Sequence, residues 1–308
     1  MIMSVLFICS GNKNDGKPGI LVDNQAASLS KIGVSVHIET IKGKGTLGYV
    51  KAIPELVKKI KNYPENTIHA HYSLSAFAAT FALILSFNKK NLVVSLMGSD
   101  AKMKGWKRFL TRFFSRYYWN TTIVKSQQMA VDLNLKNYIV LPNGVDLSLF
   151  ESKPPRKKNH VLFPANPSRE SKNFTLAKEV VEKVKTEIPD LEFEIVFDLS
   201  HRDILEKIKT TSCVLSTSLW EGSPNILKES MAAGTPIVAT SVGDIEWLLA
   251  GIDGCYVTDF NPDSMADKVK LALDFSAKNR ETNGKAKLIS LDLDSENIAK
   301  KLKEIYVN

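Results

Sequence analysis

Leu219-Trp220-Glu221-Gly222-Ser223-Pro224-Asn225-Ile226-Leu227-Lys228-Glu229 runs on into Ser230-Met231-Ala232-Ala233-Gly234-Thr235-Pro236. Two glutamates bracket a turn of small residues. Ser223 reads as an N-cap and Pro224 as the first helical residue. The helix should run to about Ala233 and stop at Gly234, with Pro236 blocking its continuation. The N–H groups of Asn225 and Ile226 would then lack partners at a positive helix end, a place suited to a diphosphate. Glu229 lies more than a turn inside, but its side chain leans back toward the N-terminus and can reach the mouth of the same pocket. A diphosphate would repel a carboxylate, so the better partner for Glu229 is the vicinal diol of a ribose. Glu221, in the loop before the helix, could accept from sugar hydroxyls in the same way. Phosphate, ribose and hexose together make a nucleotide sugar. The plain alternative is two solvated glutamates flanking a surface helix.

Working outward, short apolar runs alternate with helical patterns, which argues for parallel sheets in doubly wound domains. Strands are expected at 4–9, 34–40, 67–71, 92–97, 121–125 and 138–141 in the first half. In the second half they are expected at 160–165, 192–197, 213–216, 236–240 and 255–257. Helices should fill the gaps, among them Leu21 to Ile32, and Val50 to Lys61 with an apolar face of Val50, Ile53, Leu56, Val57 and Ile60. The stretch Glu151 to Asn159, with two prolines and four bases, looks like an interdomain linker. A length of 308 residues fits two domains, each able to bury a core.

Cys9, Cys213 and Cys255 form no CxxC pair, and reduced cytosolic thiols are the natural inference. Ser4 to Cys9 lacks a basic leader and reads as a buried strand rather than a secretory signal. The apolar stretch Leu74 to Phe87 is too short to span a bilayer and suits a buried helix. The net charge of +8 is unevenly spread. Between Asp100 and Asp132 there is no acidic residue, yet Lys102, Lys104, Lys107, Arg108, Arg112, Arg116 and Lys125 lie there. Trp106, Phe109, Leu110, Phe113, Phe114, Tyr117 and Tyr118 recur beside them at helical spacing. Such a helix can sit on anionic lipid; a core-packed helix with a solvated basic face is the alternative. Nothing in the chain resembles a nucleic-acid module.

The block from Glu221 to Gly234, with Val238-Ala239-Thr240-Ser241-Val242-Gly243-Asp244 after it, closely resembles the Glu-x7-Glu motif of the retaining GT-B glycosyltransferases called family 4, or glycosyl transferases group 1. The resemblance extends over nearly the whole chain. It implies an α/β, GT-B fold: two Rossmann-like doubly wound parallel-sheet domains facing across a cleft. Residues 1–150 would form the acceptor-side domain and residues 151–294 the nucleotide-sugar donor domain. A closing helix at about 295–306 would cross back onto the first. Leu141-Pro142-Asn143-Gly144-Val145-Asp146 matches the turn that ends the first domain in similar enzymes.

By the same resemblance, Arg169 and Lys172, in the loop Phe163 to Asn173, would grip the donor diphosphate. There they would stabilise the charge that grows as the glycosidic bond breaks. Gly222, Ser223, Pro224, Asn225 and Ile226 would line the donor turn, Glu229 would hold the ribose, and Glu221 the sugar. The glycine-rich loop after the first strand appears as Gly11 to Gly19, where Gly16 and Gly19 would let backbone approach the donor. His69-Ala70-His71-Tyr72-Ser73 and Ser95-Leu96-Met97-Gly98-Ser99-Asp100 occupy places where the family carries strand-end histidines. Met97 stands where a histidine is usual, so His71, Met97 and Asp100 are candidate sugar or acceptor contacts. His71 is equally a candidate structural histidine.

The implied function is a retaining, metal-independent hexosyltransferase, with no cofactor. It would move a sugar from a UDP- or GDP-type donor to a saccharide or lipid-linked acceptor in surface polysaccharide assembly. It would work in the cytoplasm, with the basic aromatic segment 102–119 placed to touch the inner membrane face. The rivals are a nucleotide-sugar epimerase of the same fold and a non-catalytic sugar-nucleotide-binding scaffold.

Overall fold

Parallel strands can be joined only by long crossovers, and this chain supplies a helix for nearly every one. The computed structural model describes residues 3–12, 15–43, 45–278 and 281–307, so residues 13 and 14 of the Gly11–Gly19 loop lie outside it. The chain divides into two units, Met1–Gly144 with Ser295–Asn308, and Val145–Asp294.

In the first unit the strands are β1 (Met3–Ser10), β2 (Val34–Ile41), β3 (Thr67–His71), β4 (Asn91–Ser95), β5 (Thr121–Val124) and β6 (Ile139–Val140). They form one sheet in the order β2-β1-β3-β4-β5-β6, parallel throughout. The crossover helices are α1 (Ile20–Lys31), α2 (Gly45–Asn62), α3 (Ser73–Ser86), α4 (Gly105–Tyr117) and α5 (Gln127–Leu133). Alternate strand residues Leu6, Ile8, Ile68, Ala70, Leu92 and Val94 pack against Leu56 and Ile60 of α2 and Leu74, Ala78 and Ala82 of α3. Tyr49 takes the buried place at the start of α2 and leaves Val50 exposed, contrary to the apolar face expected from sequence. A final helix, Ser295–Val307 (α12 in chain order), packs on α1 and buries Leu302 and Tyr306 in this unit.

The second unit holds β7 (His160–Phe163), β8 (Glu192–Ile195), β9 (Cys213–Ser216), β10 (Ile237–Thr240) and β11 (Cys255–Thr258). Their order is β11-β10-β9-β7-β8, again all parallel. Its helices are α6 (Phe174–Glu187), α7 (His201–Thr210), α8 (Asn225–Ala232), α9 (Ile245–Leu249), α10 (Pro262–Ala277) and α11 (Gly284–Ser290). Val161, Phe163, Leu215 and Val238 of the sheet pack against Leu176, Val180 and Val184 of α6 and Met265 and Val269 of α10.

The chain enters this unit at Val145 and leaves it at Asp294, and those two residues form a parallel bridge. Val145 N–H also donates to Leu293 O at 3.0 Å. The stretch Glu151 to Asn159 is therefore no free linker. Arg156 donates to Gly234 O at 2.7 Å, just past the end of α8, and Lys157 N–H to Thr210 O at 2.7 Å. A guanidinium at the negative end of a helix is favourably placed. Helix α5 lies in the gap between the expected strands 121–125 and 138–141, whereas α11, seven residues long and too short to display a helical period, was missed by sequence patterning.

Candidate functional site

In the second sheet β7 is flanked by β8 on one side and β9 on the other, so the strand order reverses between β7 and β9. The carboxyl ends of strands at such a reversal form the crevice where open parallel sheets bind ligands. The loops leaving these two strands carry Lys172 and Glu221. Thr217 Oγ1 donates to Lys172 O at 2.8 Å and to Asn173 O at 2.9 Å, and Leu219 N–H donates to Ser171 O at 2.9 Å. The loops are thus stitched together by backbone acceptors.

On this frame Lys172 Nζ and Glu221 Oε1 form a salt bridge, both side chains 16% exposed. Ser218 Oγ donates to the same oxygen at 2.9 Å. The loop after β10 closes in from the other side. Gly243 has φ +63, and a Cβ there would meet the carbonyl oxygens of Glu221 and Gly222 at 2.8 Å. Only glycine fits both the left-handed backbone and the close approach. Arg169 lies on the loop after β7 with its side chain exposed.

Helix α8 begins at Asn225, one residue later than the sequence suggests. Pro224 is extended (φ −71, ψ 115) and occupies the N-cap position in place of Ser223. A proline has no side-chain acceptor, so the first turn carries no side-chain cap. At the other end Gly234 (φ +67) donates to Met231 O at 3.1 Å, and Thr235 N–H donates to Ser230 O at 2.9 Å. This paired closure ends the helix where the sequence places its stop.

Glu229 is 12% exposed and accepts from His201 Nε2 at 2.8 Å on Oε1. The Glu229 carboxylate holds the imidazole pKa above its ordinary value, outweighing burial. Lys228, beside it in sequence, points into the interior and is fully buried. Burial pushes its ammonium down to about 8, against the attraction of Asp244 and Glu229. Burial likewise pushes the Asp244 carboxyl up to about 6, with Ser223 and Lys228 drawing it the other way. Sequence reasoning missed His201, Ser218, Lys228 and Asp244 as members of this cluster. Lys228 and Asp244 stood inside the quoted motif, but a lysine or aspartate on a surface helix or loop looks solvated until packing is known. His201 offered no signal, being far from Glu229 along the chain.

The candidates of the first unit are placed differently. Gly16 (φ +90) faces the Lys42 side chain at the mouth of β1, while Gly19 precedes α1 with open space around it. His69 and His71, at the end of β3, are buried and stacked at 4.2 Å between ring centroids. Phe7 also packs on His71, at 4.6 Å. His69 bonds Tyr306 Oη through Nδ1 at 2.6 Å and Ser95 Oγ through Nε2 at 2.8 Å. Burial holds His71 neutral, its pKa brought down to about 3 with Lys125 adding to the effect. Its Nε2 has no hydrogen-bond partner among the described residues.

Asp100 is wholly buried, which leaves no accessible oxygen for the sugar contact expected from sequence. Its Oδ2 accepts from Met97 N–H at 2.7 Å and its Oδ1 from Ser73 Oγ at 2.8 Å. It ties the loop after β4 to the first residue of α3. Burial raises its pKa to about 7, opposed by those hydrogen bonds. Met97 is half-buried on that loop.

Helix α4 presents Trp106, Phe109, Phe113 and Tyr117 on its exposed side, with Phe109 66% exposed. Arg108, Arg112 and Arg116 run beside them at four-residue spacing, one position ahead of Phe109, Phe113 and Tyr117. No helix among the described residues is long and apolar enough to cross a membrane.

Residues 182–274 match the family model for glycosyl transferases group 1. A curated protein, the uncharacterized glycosyltransferase MJ1607 of Methanocaldococcus jannaschii, is 34% identical over 107 residues. That match covers 34% of this chain and 27% of the other protein, so the likeness spans about a quarter of that relative's length. Among solved structures, sucrose-phosphate synthase from Thermosynechococcus elongatus superposes with a TM-score of 0.77 at 16% identity, covering 99% of this chain and 98% of that one. Anabaena HepE in complex with UDP and glucose gives 0.75 at 15% identity, covering 99% and 100%. The lipopolysaccharide outer core galactosyltransferase WaaB gives 0.69 at 13% identity, covering 98% of each chain. At such identities these superpositions establish the fold and not the activity. The chain has the GT-B fold, and its residues 182–274 match the glycosyl transferases group 1 model.

Proposed function

We propose that this chain is a retaining glycosyltransferase of family 4. It moves a hexose from a UDP- or GDP-type nucleotide sugar to a hydroxyl of a saccharide or lipid-linked saccharide in surface polysaccharide assembly. The second unit binds the donor and the first presents the acceptor. One observation carries this: two carboxylates, Glu221 and Glu229, flank an uncapped helix start at the sheet's reversal point, each steadied by a cation or imidazole. Solved structures of one protein of the same fold, Anabaena HepE, hold UDP, UDP with glucose, and UDP-glucose.

In this reading Arg169, Lys172 and the amides of Asn225 and Ile226 take the diphosphate, filling the role a metal plays elsewhere. Glu229 accepts from the ribose diol and Glu221 from sugar hydroxyls. The bond from the anomeric carbon to the leaving phosphate oxygen breaks as the acceptor oxygen bonds on the same face. The leaving phosphate oxygen takes the acceptor's proton, which keeps the configuration without a covalent intermediate.

The test is calorimetry against UDP, GDP, ADP and their sugar conjugates, with Glu229→Ala and Lys172→Ala as controls. Binding of one nucleotide series, lost in both variants, supports the reading. A folded protein that binds none of them defeats it and brings the scaffold forward. Conversion of the bound nucleotide sugar to its epimer without an acceptor would favour the epimerase.

The parallel arginine and aromatic rows of α4 favour one addition, contact with an anionic membrane surface on the cytoplasmic side. Vesicles of phosphatidylglycerol should sediment the protein, and those of phosphatidylcholine should not. Phe109→Ser with Phe113→Ser should abolish sedimentation; retention by that variant would remove the addition.

A further inference from the structure

Glu229 has a partner that nothing in the sequence motif supplies. His201 is the first residue of α7, and the start of that helix is fixed independently of the site. Ser200 Oγ accepts from Asp203 N–H at 3.2 Å and donates to Asp203 Oδ2 at 2.6 Å, a reciprocal cap that holds the first turn in register. Helix α7 packs on α8, which carries Glu229. The imidazole therefore arrives at the carboxylate on a rigid support, with Nε2 at 2.8 Å from Oε1. Among the described residues Oε2 of Glu229 accepts no hydrogen bond.

We propose that His201 is a positioning residue for the donor site, holding Glu229 in the rotamer that receives the 2′- and 3′-hydroxyls of the donor ribose. The inference rests on the donor-site reading given above and extends it to a residue outside the motif. A glutamate has three rotatable side-chain bonds, and a half-buried one beside a crevice samples several rotamers unless something selects one. The hydrogen bond to His201 removes that freedom before the ligand arrives, so less is lost on binding. It does so without using up the carboxylate. Each carboxylate oxygen accepts in two directions, so Oε1 keeps one and Oε2 both. A vicinal diol needs two acceptor directions at most, and its hydroxyls remain free to donate elsewhere. The tether also survives loss of charge, because neutral imidazole can still donate through Nε2.

The experiment is calorimetric titration of the whole chain with UDP, GDP and ADP, and then with the 2′,3′-dideoxy counterpart of whichever binds. His201→Ala should weaken the ribonucleotide on the order of tenfold, while the 2′,3′-dideoxynucleotide changes by less than about twofold. The contact that His201 supports is already missing from the dideoxy ligand. His201→Gln, which keeps an N–H at similar reach, should recover most of the loss. In a Glu229→Gln background His201→Ala should have little further effect. Equal losses for the ribo and dideoxy ligands would mean a merely structural role and would overturn the assignment. So would unchanged ribonucleotide affinity in His201→Ala. If Glu229→Gln weakens the ribonucleotide but His201→Ala does not, this inference fails alone. A wild-type chain that binds no nucleotide defeats it together with the donor-site reading.

Discussion

Both units gather ionisable side chains at the carboxyl ends of their sheets, but the two clusters are finished differently. In the first, His69 uses both ring nitrogens and Asp100 uses both carboxylate oxygens, all of it buried. In the second, Glu221 and Glu229 remain part-exposed, each with one oxygen tied and its partner drawn from another loop or helix. A buried polar group with every direction filled holds strand ends and loops in place, since any exchange would leave a group unpaired. A part-exposed carboxylate with spare acceptor directions can exchange water for a ligand at little cost. Resemblance in residue type conceals this difference. His71, whose Nε2 has no partner among the described residues, departs from the pattern of the first cluster.

The contrast is broken most directly by nucleotide affinity. Glu229→Ala removes the two charge-assisted hydrogen bonds that the proposed donor site gives a ribose and should weaken the bound nucleotide by on the order of a hundredfold, read by calorimetry, with the melting temperature nearly unchanged. Asp100→Ala should do the reverse. It strands the Met97 and Ser73 donors inside the protein, at about 2–3 kcal/mol measured by urea unfolding, and leaves nucleotide affinity alone. A folded Asp100→Ala protein with lost affinity would erase the distinction between the clusters.

Smaller effects sharpen it. Tyr306→Phe removes one partner of His69 and should cost about 1 kcal/mol in the same urea assay. It should also loosen α12, raising amide exchange in 295–307. The smallest effect is a pH slope. The pKa of His201 is raised in the folded state, so its contribution is full below the unfolded value near 6.5 and is lost as pH rises through the folded value. Unfolding free energy should decline by less than about 1 kcal/mol over that interval, since the pair is partly solvated. His201→Gln should flatten that slope; a slope that persists in the variant would point to another group.

Much of the fold was legible because parallel strands buried on both faces write themselves as short apolar runs. The expected strand at 67–71 coincides with β3, and that at 213–216 with β9. The ends of α8 show where such reading weakens. Its stop at Gly234 was visible, because a left-handed residue there has a sequence mark, whereas its start slipped from Pro224 to Asn225. Proline is allowed both in the first turn and in the extended residue before it, and only the packed loop chooses. The crossing into the second unit at Val145 was displaced in the same way. A proline- and lysine-rich stretch resembles a linker until Arg156 is seen bonded to the end of α8.

The sequence alone specified two parallel α/β sheets, the stop of α8 at Gly234 and the carboxylates of Glu221 and Glu229, because hydrophobic period, turn chemistry and a dense motif are local properties of the chain. Only the tertiary structure decided which side chains meet those carboxylates. Lys172 reaches Glu221 because strand order reverses between β7 and β9, and His201 reaches Glu229 because α7 lies on α8. It also placed Asp100 in the interior, where it ties Met97 to Ser73. Partner choice depends on which elements become neighbours, and burial decides whether a charge is spent inside the fold or left for a ligand.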